Sequence, residues 1–290
     1  MFHIALFQLI PFFSQLIYSF FGKVGFDENS VVYANVCTCV DIILYLIVFL
    51  LPAFFIFRYT QKTTAVISLK FVCPKYLIGL GITAIGCISA SGNVTNLIKL
   101  LFNKIGIGFI NYSPDIPRDF CGLVLLFLSS ALIPAIVEEV LFRKVILERF
   151  IPFGKAFAII FTAFLFSLMH TNISQFLYAF TGGVFLGYLT VKARSVIPAM
   201  ILHFLNNALS LIYLLISEFT TGKADNTLLF FDIALSIFGV ASLLYLIKKN
   251  KKEFVSNISK TLSIPKPFNV FLLGYIIYCL YLSARWIYII

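Results

Sequence analysis

From Phe120 to Leu147 nearly every residue is aliphatic or aromatic, yet the run carries two adjacent carboxylates, in Pro134-Ala-Ile-Val-Glu138-Glu139-Val-Leu-Phe-Arg143. A run this long and apolar crosses a bilayer as a helix, because only a helix or a closed barrel satisfies every backbone polar group without water. A charged side chain near the bilayer centre costs about 2.5–3.5 kcal/mol on insertion scales, and two neighbours add mutual repulsion. Such a pair has to face partners or water inside a helix bundle. Helical spacing then separates their tasks. Glu139 and Arg143 lie one turn apart and can pair, whereas Glu138 is turned about 100° away and faces something else. An internal salt bridge that clamps two helices accounts for Glu139 and Arg143 but leaves Glu138 unassigned.

The rest of the 290-residue chain agrees with a membrane setting: 61% of residues are hydrophobic, only 12% are charged, and the mean hydropathy is +1.01. Soluble domains carry about 25% charged residues. The fold class expected is all-α, a polytopic transmembrane bundle. A net charge of +10 is then read as topology and attraction to anionic membrane lipid, not as nucleic-acid binding. Six cysteines stand in apolar stretches without C-x-x-C spacing, as small buried hydrophobes and not as a disulfide framework or thiolate metal site. The N-terminal apolar run lacks a basic leader and a small-residue cleavage site, and is read as a retained segment.

Apolar runs near 4–21, 31–57, 76–92, 119–150, 155–170, 175–191, 196–217, 228–247 and 268–288 give eight or nine helices, the first either spanning or lying on the membrane. All of 1–290 reads as a single membrane domain. The connections at 58–75, 143–155, 192–195 and 248–267 fall on one side and hold sixteen of the 22 Lys and Arg residues. By the positive-inside rule that side is cytoplasmic, with the N-terminus also inside. Residues 248–267 read as a basic cytoplasmic linker held by anionic lipid, and 92–119 as a long loop on the far side with a short surface helix. Ala179, Gly183 and Gly187 recur every four residues in the sixth helix, so its neighbours can approach closely.

The chain has three histidines. His170 ends Phe166-Ser-Leu-Met-His170, and His203 opens His203-Phe-Leu-Asn-Asn207, each with a partner one turn away. Two histidines in bilayer segments beside an unpaired glutamate point to a functional site. A hairpin turning at Pro152-Phe-Gly154 puts Glu138 and His170 roughly 21–24 Å from the turn, level with each other. His203, about 12 Å from the loop at Ser195, joins them if the hairpin extends about 10 Å beyond that loop. Pro134 removes the hydrogen bond to the Ser130 carbonyl and should kink its helix near the carboxylates. Asp41, in the second helix, reads as a polar packing contact. A proton- or ion-coupled transporter would also use Glu and His relays, although no internal repeat accompanies them here.

Glu138-Glu139-x-x-x-Arg143, Phe166-x-x-x-His170 and His203-x-x-x-Asn207, in this order within apolar helices, resemble the three motifs of the CPBP (CAAX-protease and bacteriocin-processing, or Abi) intramembrane proteases. The resemblance covers about Phe120 to Ser217, which makes 119–217 the expected catalytic core, and no motif position departs from the pattern. It implies an intramembrane endopeptidase acting on a membrane-associated or lipidated peptide or protein near the cytoplasmic leaflet, in a bacterial plasma membrane. Glu138 and His170 would hold and deprotonate a water, and His203 and Asn207 would steady the oxyanion. Glu139, Arg143 and Phe166 would support them. Glu138, His170 and His203 could instead ligate a catalytic zinc. The family also includes bacteriocin immunity proteins, so a catalytically silent scaffold of the same fold is a further alternative.

Overall fold

The computed structural model describes residues 2–25, 27, 29–59, 67–72, 77–110, 115–249, 270–285 and 287–289. Among these, nine helices carry the fold: α1 (Phe2–Lys23), α2 (Val31–Tyr59), α3 (Leu77–Asn103), α4 (Phe120–Phe153), α5 (Lys155–Met169), α6 (Ile173–Ala193), α7 (Ile197–Phe219), α8 (Asp225–Lys249) and α9 (Val270–Ala284). A short antiparallel pair, β1 (Ile107–Phe109) with β2 (Ile287–Ile289), joins the end of α3 to the chain beyond α9. Six of the helices, α2, α3, α4, α6, α7 and α8, are long and apolar enough to cross a membrane. Large apolar side chains such as Ile78, Phe120 and Phe230 are 77%, 83% and 68% exposed, a surface that water would not tolerate and lipid does. The chain is an integral membrane protein. At 15 residues α5 is too short to span alone and packs between α4 and α6.

Helix α4 is not uniform. Its α-helical parts alternate with two π segments, Leu128–Leu132 and Val140–Leu147, so that the short stretch Ile133–Glu139 carrying both carboxylates is bracketed by widened turns. The break in the hydrogen-bond ladder expected at Pro134 takes the form of this widening. Pro134 has no N–H to give the Ser130 carbonyl, and its ring would crowd that carbonyl in an ordinary ladder. Bonding shifts instead to five-residue spacing, as in the Ile133 amide donating to the Leu128 carbonyl, and Pro134 falls in the first turn of the next α segment, where no N–H is needed.

Helix α3 runs to Asn103, not to residue 92, so the first part of the expected 92–119 loop, residues 92–103, is helix. Its polar residues, which lower the hydropathy of that stretch, face α8. Asn93 Nδ2 donates to Asp232 Oδ2 (2.6 Å) and to Ser236 Oγ (3.1 Å), Ser89 Oγ bonds Asp232 Oδ1, and Thr83 Oγ1 meets Ser242 Oγ at 2.7 Å. Between these rungs the backbones touch: a Cβ on Gly86 would lie 2.4 Å from the Leu235 carbonyl oxygen and 2.7 Å from Gly239 Cα. The small-residue stripe of α6 works the same way against α5, where a Cβ on Gly183 would lie 2.9 Å from that of Ala163.

Helix α1 is tied to α2 by Ser14 Oγ donating to Asp41 Oδ1 at 2.6 Å, the packing contact expected of Asp41. At one end of the bundle the chain between α2 and α3 is bound on both sides. The Ile67 amide donates to Glu148 Oε1 (2.8 Å), Lys144 Nζ donates to the Ile67 carbonyl, and Ser68 exchanges backbone bonds with the α6–α7 turn at Arg194 (2.9 Å) and Val196 (3.1 Å). These segments belong to three of the four connections that the charge pattern puts on one side. The fourth, 248–267, lies outside the described residues from 250 onward.

Candidate active site

The site forms where α4, α5 and α7 meet, with α2 behind. Its core cluster joins Val48, Phe49 and Ala53 of α2 to Val137, Leu141, Phe142 and Val145 of α4 and Phe166 and Met169 of α5. Van der Waals packing of these side chains fixes the three backbones to which the polar residues are attached.

Glu139 and Arg143 are both fully buried and form the expected pair, with Nε 3.0 Å from Oε2. The N–H is not aligned for a hydrogen bond, and neither Nη1 nor Nη2 has a hydrogen-bond partner among the described residues. Instead, the guanidinium stands over the Phe166 ring, Cζ 5.1 Å from its centroid, a cation–π contact strengthened by desolvation. Glu139 does more than the spacing suggests. Its Oε1 is 3.0 Å from Nδ1 of His203, so one carboxylate bridges Arg143 and the histidine of α7. A carboxylate paired with arginine can only accept here, so Nδ1 carries the proton and Nε2 is turned the other way.

Glu138, 4% exposed, is the group that Nε2 faces: its Oε2 lies 3.8 Å away and has no hydrogen-bond partner among the described residues. Its Oε1 accepts from the hydroxyl of Tyr45 on α2. The sequence reading missed Tyr45. It carries no motif, and the one available signal is that it follows Asp41 by one turn in an apolar helix.

Phe166 gathers the two histidines. The His170 ring stands at 87° to it with centroids 5.2 Å apart, and His203 at 86° and 5.9 Å. The depth matching of α4, α5 and α7 is thus realised. His170 closes α5 and precedes Thr171, whose φ of 47° reverses the chain into α6. No hydrogen bond or ion pair joins His170 to Glu138. Asn207 is half-buried one turn beyond His203, and its Oδ1 accepts from Asn206 Nδ2 at 3.5 Å, the outer limit of a hydrogen bond. Among the described residues no group of three or more His, Cys, Asp or Glu side chains is placed to hold a metal ion. The contacts thus bring Glu138, Glu139, Arg143, Phe166, His170 and His203 together, while those of Asn207 stay local to α7.

The arrangement is a buried carboxylate with one oxygen fixed and the other open toward a histidine whose ring a second carboxylate orients through Nδ1–H. That is the equipment of water activation. Comparisons with curated proteins and with solved structures give no match. A family model, type II CAAX prenyl endopeptidase Rce1-like, matches residues 120–209, from the start of α4 to the turn of α7 that follows Asn207. The chain therefore carries, across the helices that build this cluster, a domain of the Rce1-like CAAX prenyl endopeptidase family, a family of proteases.

Proposed function

We propose that the protein is an intramembrane endopeptidase in which Glu138 is the general base. The supporting observation is the geometry around Oε2 of Glu138: a buried carboxylate oxygen without a partner, 3.8 Å from His203 Nε2. That separation suits a water hydrogen-bonded to both. Glu138 takes a proton from this water as its oxygen attacks the scissile carbonyl carbon. The tetrahedral oxyanion is met by Nε2–H of a doubly protonated His203 and by the Asn207 amide, donors whose removal typically costs about 10²–10³ in kcat. The proton on Glu138 then passes to the leaving amine. His170, set against Phe166, closes the water's side of the site. The substrate is a peptide or protein held at the membrane. In this reading the basic connections mark the cytoplasmic side, where the positive-inside rule would put the N-terminus and the leaflet nearest the site.

The test is cleavage of internally quenched peptides in liposomes, one ending in a farnesylated Cys-a-a-X sequence and one unprenylated, beside proton flux through the same liposomes. Wild type should cleave at least one of them. Glu138→Gln should lose about 10²–10⁴-fold in rate, the usual contribution of a general base, at unchanged folded yield, and Asn207→Ala should lose 10²–10³-fold. Proton flux that depends on Glu138 and His170, without peptide cleavage, would overturn the proposal.

A further inference from the structure

We infer that Tyr45, outside the matched domain, is a positioning residue for the hydrolytic water, through its hydroxyl on Glu138. The inference rests on the reading of Glu138 as the base. A glutamate side chain has two equivalent oxygens and a broad terminal torsion, so a buried carboxylate with no fixed partner would present either oxygen in several orientations. Here the backbone of α4 brings Glu138 to the seam with α2, and one donor decides the rest. The Tyr45 hydroxyl donates to Oε1, which leaves Oε2 directed at Nε2 of His203 at 3.8 Å.

The donor is itself held. The Tyr45 ring lies against that of Phe49, centroids 4.5 Å apart and inclined by 30°, and Phe49 is completely buried in the cluster that joins α2 to α4. One turn back along the same stripe of α2, Asp41 accepts from Ser14 of α1, so α1 also holds this part of the helix. Glu138 and His203 are thus each oriented by a second group, the base by Tyr45 and the histidine by Glu139 at 3.0 Å. Loss of the Tyr45 hydroxyl lets the Glu138 carboxylate turn while the rest of the bundle stays packed, and misplacement of about 1 Å can cost on the order of 10²-fold. Tyr45 touches Glu138 and not the reacting atoms, so its loss should act on kcat and leave substrate binding alone.

The experiment compares wild type with Tyr45→Phe, which keeps the ring on Phe49, and Tyr45→Leu, which does not, using the two quenched peptides in liposomes. Tyr45→Phe should lower kcat about 10–100-fold with KM and melting temperature unchanged. Placed on Glu138→Gln, it should reduce the residual rate no further. A second readout is independent of turnover: infrared bands that disappear in Glu138→Gln should shift in Tyr45→Phe. Full activity of Tyr45→Phe alongside an inactive Glu138→Gln would overturn the inference and leave Glu138 as base. A fall in melting temperature equal in Tyr45→Phe and Tyr45→Leu would assign the hydroxyl to stability and overturn it too. An unshifted band would show that the contact does not form. Activity retained in Glu138→Gln would instead remove the base on which the inference stands.

Discussion

Two seams in this molecule hold polar side chains inside the bilayer, and they do so in opposite ways. Between α3 and α8 the groups are hydroxyls, an amide and one carboxylate, and every oxygen of Asp232 meets a donor from Ser89 or Asn93. The backbones approach until Gly86 and Gly239 touch. Between α4 and α7 the groups are charged, and Glu138 Oε2 and both Nη atoms of Arg143 make no hydrogen bond among the described residues. A seam that only has to hold satisfies all its polar groups, because each one left unsatisfied costs about 1–3 kcal/mol. The seam that leaves them over is the one with chemistry to perform.

The contrast can be broken experimentally, beginning at the charged seam. Glu139→Ala removes one acceptor from both Arg143 and His203 and leaves a buried guanidinium without its counter-ion. Breaking a buried pair in this way costs about 3–5 kcal/mol, and folded yield by size exclusion in detergent should collapse. Glu139→Ala with Arg143→Met should recover much of that yield without activity, since His203 stays unoriented. At the neutral seam, Gly239→Val drives two methyl groups into the α3 backbone. Thermal unfolding should show a loss of about 1–3 kcal/mol from overpacking, while the folded fraction keeps its kcat. Thr83→Val removes one hydroxyl rung at nearly constant volume. Inter-helix hydrogen bonds in membranes average about 0.6 kcal/mol, so its effect should be a small fall in melting temperature and no change in turnover.

The smallest effect lies outside the bilayer, at the start of α4. Asp119 caps that helix, its Oδ1 accepting from the Gly122 amide at 2.8 Å and from Asn35 Nδ2 at 3.1 Å. These two donors, the amide first, hold the carboxyl below the usual aspartate range. A depressed carboxyl adds stability that is present above its unfolded pKa and disappears as the pH falls through its folded value. Wild type should therefore melt slightly above Asp119→Ala at neutral pH, and the two curves should converge once the pH drops below the aspartate range. A gap that persists in strong acid would show that the cap acts by packing.

What the sequence made legible was what periodicity and apolar length encode. Eight or nine helices follow from the lengths of the apolar runs, and the Glu139–Arg143 pair and the place of Phe166 beside His170 follow from spacing along a single helix. So does the close contact of Gly183 with α5. The contacts that cross between helices distant in sequence were not legible. Nothing near His203 announces that Glu139, 64 positions earlier, will hold its Nδ1, and nothing near Tyr45 announces Glu138, 93 positions later. The extent of α3 was misjudged for a related reason. Ser89, Ser91, Asn93 and Thr95 resemble the polar beginning of a loop until α8 is seen to supply Asp232 and Ser236 to Ser89 and Asn93, while Ser91 and Thr95 bond carbonyls of their own helix. Likewise, Pro134 signalled that the ladder must break but not that it would widen.

That widening has a consequence for how this helix can change over time. A π segment is one surplus residue stored in a helix without a break in its path, and it puts the stretches on its two sides out of phase by about 100°, the turn of a single residue. Pro134 and the surplus residue in Leu128–Leu132 are therefore structurally coupled. Deleting a residue there would restore an ordinary ladder, collide with the proline ring and rotate Phe120–Phe127 about 100° around the helix axis, turning the face it now sets against α2. Replacing the proline alone would remove the reason for the surplus but not the surplus itself. A lineage of such chains should keep both or lose both in concert, and one that lost both would have to re-aim Glu138 from the other end of the helix.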